Sequence, residues 1–215
     1  MTQLIVFDCD GTLVDSQAVI VACAQDAFAA VGLVAPSVER IRHIVGVSLE
    51  PAMRMLLGRD DPEMGRRIAE AYREAFFARR AMPDHDEPLF EGVLETLDAL
   101  AARGAVMGVA TGKTMRGLVQ ILERHALERY FVTLQTADLH PSKPHPSMLE
   151  AAMRETGAAA DATWIIGDTT WDIEMGRLAG CRSIGVSYGN HAPEVLRTAG
   201  AAHVIDRLND LLDLV

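Results

Sequence analysis

Cysteine is sparse, lysine is nearly absent, and long apolar runs are missing from this chain of 215 residues. Cys9, Cys23 and Cys181 are odd in number and widely spread, which argues against a disulfide framework and offers no metal-ligand spacing. Cys9 is expected to pack. A membrane span needs about 20 consecutive apolar residues, and no stretch approaches that. The run Leu4–Phe7 is too short for a signal-peptide core and has no basic residues before it. The expectation is a cytoplasmic protein without a membrane partner. Positive charge is also in deficit, the formal net charge being −10. That disfavours nucleic acid, whose backbone is bound through Lys and Arg neutralising phosphates. A small anionic ligand remains compatible if cations are concentrated locally. The two lysines, Lys113 and Lys143, stand against 18 arginines, and both directly follow segments that read as strand ends.

What is present is an ordinary globular composition, 49% hydrophobic, enough for one sizeable core and a smaller second unit. Short apolar runs recur at Leu4–Phe7, Ala105–Val109, Phe131–Leu134, Trp164–Ile166, Ser183–Val186 and, weakly, His203–Ile205. Between them fall helical patterns at Val93–Arg103, Met115–Leu127, Ser147–Thr156, Ile173–Ala179, Pro193–Ala199 and Leu208–Leu214. Alternation of this kind predicts an α/β fold: a doubly wound, mostly parallel, Rossmann-like sheet covered on both faces. Residues 16–85 break the alternation. They read as helices at Gln17–Val31, Val38–Ile44, Glu50–Leu57 and Pro62–Ala78 with no buried strand, too much chain for one crossover. The expected division is a core of residues 1–15 and 86–215 with an inserted helical domain over 16–85. Asp15-Ser16 reads as the outgoing linker and Met82–Pro88 as the return.

The chemistry lies at the expected strand ends. Asp8-Cys9-Asp10-Gly11-Thr12 puts two carboxylates one residue apart after the first strand, at the sheet edge where open α/β folds bind ligands. Taken alone, Asp followed by Gly-Thr is also common turn chemistry. The second strand runs into Thr111-Gly112-Lys113-Thr114, where a hydroxyl and free backbone N–H groups at a helix start suit an anion. A P-loop is excluded by spacing: Met107 stands where the first glycine is needed, and Gly108 is one residue too close. After the third strand, prolines at 141, 144 and 146 hold Lys143 on a stiff segment. His140 and His145 lack a helical metal spacing and receive no ligand role. The fourth strand ends in Gly167-Asp168-Thr169-Thr170-Trp171-Asp172, whose carboxylates are hard oxygen ligands of the kind Mg²⁺ takes. Helix capping is the alternative for Asp168.

Taken in order, these four segments resemble the motifs of the haloacid dehalogenase-like hydrolase superfamily, over essentially the whole chain and including an inserted helical cap. Within it the chain looks most like phosphoglycolate phosphatases. The resemblance implies a Mg²⁺-dependent hydrolase of a small phosphorylated metabolite. Asp8 would be the nucleophile and Asp10 the general acid and base. Thr111 and Lys143 would complete the catalytic set, with Cys9, Gly11, Thr12 and Gly112 joining them around the phosphate. Asp8, Asp168 and the Asp10 backbone carbonyl would hold the metal, supported by Asp172. Asp10 disfavours a dehalogenase, the absence of a cap lysine disfavours a phosphonate hydrolase, and Leu49 after Ser48 disfavours a phosphoglucomutase, where Arg is expected. Other classes are a receiver-like signalling domain and a non-catalytic phospholigand-binding protein. Leaving-group candidates are Arg42, His43 and Ser48, with Arg54 and Arg59 for a substrate carboxylate. Oligomeric state is not legible in the sequence.

Overall fold

The computed structural model describes residues 3–82 and 85–215. The chain starts with strand β1 (Leu4–Phe7) and then enters four helices, α1 (Gln17–Ala30), α2 (Val38–His43), α3 (Leu49–Leu57) and α4 (Pro62–Arg80). It returns through α5 (Val93–Ala102), β2 (Val106–Thr111), α6 (Met115–Arg124), β3 (Phe131–Thr136) and α7 (Ser147–Thr156). It ends with β4 (Thr163–Gly167), α8 (Thr170–Leu178), β5 (Arg182–Val186), α9 (Pro193–Ala199) and β6 (His203–Ile205). All six strands are parallel, in the order β3-β2-β1-β4-β5-β6. The fold is the expected doubly wound α/β sheet. Because β2 and β4 both flank β1, the chain reverses its winding there, and the crevice at that switch point opens beyond the carboxyl ends of β1 and β4.

Strand periodicity distributes β1 over both layers. Ile5 and Phe7 join the cluster built with α5 and α6, which includes Val93, Leu97, Leu118 and Ile121. Leu4 and Val6 face Met148, Leu149 and Met175 from α7 and α8. All four side chains of β1 are fully buried, and a buried Leu, Ile, Val or Phe contributes roughly 1.5–3 kcal/mol relative to exposure. The central strand is therefore the most firmly placed element beside the site.

Helices α1 to α4 bury a separate cluster in which Ala24, Phe28, Ile41, Met53, Leu56 and Ile68 meet. The segments leading out and back run side by side: Val14 bridges antiparallel to Leu89, and the Asp15 amide donates to the Pro88 carbonyl at 2.8 Å. Pro83 and Asp84 of the expected return linker lie outside the described residues. Two helical expectations need correction. The terminal segment is a 3₁₀ helix over Leu208–Asp213 and not an α-helix. Helix α8 starts at Thr170, three residues before the apolar pattern begins, because Thr169 and Asp172 form a capping box that fixes the first turn.

Candidate active site

Asp8 follows the last residue of β1, and its amide still donates to the Ile166 carbonyl of β4 at 2.8 Å. The continued strand pairing points its carboxylate into the crevice with no freedom to turn away. Asp168 follows β4 in the same manner, and Thr111 is the final residue of β2. Asp8, Asp168, Asp172, Thr111 and Lys143 are all buried. The Lys143 ammonium bridges two carboxylates, 2.8 Å from Asp8 Oδ1 and 2.7 Å from Asp172 Oδ1. Burial acts to lower the pKa of Lys143, but Asp172 and Asp8 outweigh it and hold the amine above its ordinary value.

Charge in this cluster is unbalanced. Asp8, Asp168 and Asp172 bring carboxylate oxygens within 4.8 Å of one another, with Lys143 the cation paired to them. Burial pushes the Asp8 carboxyl well above the usual range; Lys143 opposes this, and Asp172 and Asp168 reinforce it. Asp168 is pushed up to about 7 by burial first and Asp172 second, against hydrogen bonds from Asn190. The Asn190 amide and side-chain NH₂ both donate to Asp168 Oδ2 at 2.7 Å. Asp172 Oδ2 accepts from the Thr169 hydroxyl at 2.7 Å and its amide at 3.2 Å, so this carboxylate is fully engaged. Among the described residues, neither Asp8 oxygen has a hydrogen-bond partner; Oδ1 has only the ion pair with Lys143, and Oδ2 is buried with no partner at all. An orphaned carboxylate oxygen in an oxygen-only cluster of excess negative charge fits a small divalent cation. Asp10 is not among the three clustered carboxylates.

Gly11 is required by close approach. Its φ is +80°, and a Cβ there would lie 2.2 Å from Asp168 Oδ2. Thr12 spends its hydroxyl on a long contact, 3.4 Å, to Asp168 Oδ1, and Cys9 is fully buried in the core. Gly112 carries the α2–α3 loop: a Cβ at this residue would come within 2.6 Å of the Gly46 carbonyl. That loop lies over the site, Gly46 facing Asp8 and the Ser48 amide donating to Ser142 Oγ at 2.8 Å.

Asp10 points elsewhere, toward a pair of residues that the sequence reading passed over. Its Oδ1 accepts from the Ser16 hydroxyl and pairs with Lys113 Nζ at 2.9 Å. Lys113 also approaches the fully buried Glu87 at 3.9 Å, and Glu87 meets His85 at 2.9 Å. Burial acts to lower the Lys113 pKa, but Asp10, Cys9 and Glu87 hold it above its ordinary value. The available signal was the scarcity of lysine: both copies follow strand ends, and both proved to be partners of a motif aspartate, Lys143 buried and Lys113 partly so. Asn190 and His191 carried no comparable sequence signal, since they reach Asp168 and Thr170 from the loop after β5.

The expected leaving-group residues separate into two sets. Arg42 donates to the Gly189 carbonyl at 2.7 Å, and His43 stacks on His191 with ring centroids 5.0 Å apart. The Trp171 indole N–H donates to the His43 carbonyl at 3.0 Å. These residues join the α2 end to the α8 side of the core. Arg54 and Arg59 pair with Asp60 and Asp61 on the surface, away from the crevice. His140 is occupied by Ser147 Oγ and Gln135 Oε1, at 2.7 and 2.8 Å.

A single motif order, all on one sheet edge, brings two strand-end aspartates, a buried lysine and a strand-end threonine together. Residues 5–186 match the family model described as haloacid dehalogenase-like hydrolase, and the chain belongs to that family. Its relatives place it among the phosphatases. It is 34% identical to "probable phosphatase IndB" of Dickeya dadantii over 99% of this chain and 93% of that protein. It is 32% identical to a phosphoglycolate phosphatase of Vibrio parahaemolyticus over 99% and 96%. The crystal structure of a predicted phosphatase from Clostridium acetobutylicum superposes with a TM-score of 0.88 at 25% identity, covering 100% of this chain and 98% of that one. A hydrolase from Pseudomonas syringae gives 0.86 at 27% identity, with 100% and 97% covered. The chain is thus an enzyme of the hydrolase class, similar to phosphoglycolate phosphatases. Among the described residues, no helix is long and apolar enough to cross a membrane.

Proposed function

We propose that the protein hydrolyses a small, phosphoglycolate-like phosphate monoester through an aspartyl-phosphate on Asp8, with Mg²⁺ as cofactor. The observation that carries this reading is Asp8 itself: a buried strand-end carboxylate with one oxygen held by Lys143 and the other unpartnered. A carboxylate meeting a phosphate dianion is repelled by about 4 kcal/mol per unit-charge pair at ~4 Å and an effective dielectric near 20. Lys143 offsets part of this and orients Asp8. When bound by Asp8, Asp168 and the Asp10 carbonyl, with Asp172 in support, Mg²⁺ would neutralise charge on the phosphoryl oxygens. Thr111 and the backbone N–H groups of Cys9 and Gly112 hold those oxygens for in-line attack, whereas the Gly11 and Thr12 amides, expected to join them, are spent on the Val14 and Cys9 carbonyls at 2.9 and 3.4 Å.

The Asp8 carboxylate attacks phosphorus through one of its oxygens, and the bond to the leaving oxygen breaks with its electron pair while Asp10 gives that oxygen a proton. Water then attacks the acyl-phosphate and transfers its proton to Asp10. The bond to Asp8 breaks, releasing inorganic phosphate and restoring the Asp8 carboxylate and the Asp10 carboxylic acid. Lys113 and Ser16 both contact Asp10 Oδ1, which leaves Oδ2 for these transfers. Residues 16–85 act as a cap domain that excludes water during the first transfer. Phenyl phosphate with Mg²⁺ tests the reading: Asp8→Asn abolishes phosphate release, and retained turnover would remove Asp8 as nucleophile.

A further inference from the structure

A cavity of about 220 Å³ opens between α1, the α2–α3 loop, α3, α4 and the start of α6, with Asp10, Gly112 and Lys113 among its lining residues. Its walls are mostly apolar, including Val47, Leu49, Met53, Tyr72 and Phe76. The charged side chains around it are one-sided. Asp10 is the carboxylate, while Arg73, Arg80, Lys113 and Arg116 are cations. Lys113 is paired to Asp10, and Arg73 lies 3.5 Å from Glu50. Arg80 donates to the neutral Gln120 and packs over Phe76, and Arg116 packs over Phe77 at 5.7 Å. Among the described residues, neither Arg80 nor Arg116 has a carboxylate partner. None of Arg42, His43 or Ser48 lines this space.

Asp10 is the group assigned to protonate the leaving oxygen, so the cavity beside it is where the rest of the alcohol goes. A single water needs only about 10–15 Å³ of such space. Glycolate, with one carbon between its oxygen and its carboxylate, would leave most of the volume as water against apolar side chains. We propose that the preferred substrate carries a longer hydrocarbon body ending in an anionic group, the body filling the apolar walls and the anion meeting Arg80 and Arg116. This rests on the phosphatase reading above, keeps its reaction, and replaces its phosphoglycolate-like alcohol with a longer one.

Three alkyl esters separate the contributions while keeping the leaving group an aliphatic alcohol: 2-phosphoglycolate, hexyl phosphate and 6-phosphonooxyhexanoate, each assayed with Mg²⁺ for kcat/KM. The expected order places 6-phosphonooxyhexanoate at least tenfold above 2-phosphoglycolate, since each well-placed methylene discriminates by about tenfold or more, and above hexyl phosphate, which lacks the anionic end. Arg80→Gln and Arg116→Gln are expected to shrink the ratio of 6-phosphonooxyhexanoate to hexyl phosphate. Phosphoglycolate equal to or better than the six-carbon ester overturns this inference and leaves the phosphatase reading standing. Hexyl phosphate equal to 6-phosphonooxyhexanoate overturns the anionic end. No phosphate release from any of them, or from phenyl phosphate, overturns both.

Discussion

Identical side chains acquire different roles through the partners that hold them. Asp8 faces Lys143 and a crowd of carboxylates, whereas Asp10, two residues on, turns to Lys113 and Ser16. Removing the general acid costs most when the leaving group is poor, so Asp10→Asn is expected to lower kcat by about 10²–10⁴ on an alkyl phosphate and less on phenyl phosphate. Lys143 is a buried cation shared between two carboxylates, and Lys143→Met leaves both uncompensated. Urea unfolding should show a loss of about 3–5 kcal/mol for that variant. The crowding of Asp8, Asp168 and Asp172 also makes a metal prediction that needs no turnover. Mg²⁺ at 100 times its Kd should stabilise the fold by about 2.7 kcal/mol, read as a rise in Tm, and Asp168→Asn should abolish most of that rise.

At the scale of elements, Asp8, Thr111 and Asp168 are delivered by strand ends, Asp172 by the first turn of α8, and Lys143 by the loop between β3 and α7. Strand β4 places Asp168, and Ile165 within it is fully buried against α7 and α8. Ile165→Ala should therefore cost about 2–5 kcal/mol in chemical denaturation. The contact between α2 and α8 is expected to respond to pH. His191, facing His43, Arg42 and Asp172, is held below its ordinary value of 6.5, by burial first. The folded state thus disfavours a proton that the unfolded chain accepts. Stability present above 6.5 is lost as the pH falls through the lowered folded value. Tm measured between about pH 8 and 5 should fall on the acid side, with a shallower slope in His191→Asn.

For the whole molecule, the relevant feature is that its apolar clusters are separate. One lies within α1 to α4, and two lie on either side of the sheet. The paired linkers at Val14 and Leu89 join them beside Asp10, whose partner Ser16 begins the outgoing segment and whose partner Lys113 reaches Glu87 on the return. Asp10, the proposed general acid, is thereby tied to both connections. Small clusters open at lower free energy than a central sheet. Amide hydrogen exchange should accordingly proceed faster in α2 and α3 than in β1 and β4.

Much of this was legible in the sequence. Short apolar runs determine the strands, because a strand covered on both faces has almost no polar positions to offer. Strand order and motif order then put Asp8, Thr111, Lys143 and Asp168 at one edge. The capping box at Thr169 shifted the start of α8, and the last helical pattern became a 3₁₀ turn, both local effects that apolar spacing does not encode. Tertiary structure alone decided which side chains meet across long separations: Lys113 with Asp10 and Glu87, Asn190 with Asp168, His43 with His191. It also paired Arg54 and Arg59, the candidates for a substrate carboxylate, with Asp60 and Asp61, and set Arg80 and Arg116 at the cavity beside Asp10. The physical reason is that helix packing sets which face of α3 and α4 looks inward, and an arginine's long stem lets either orientation satisfy the sequence pattern.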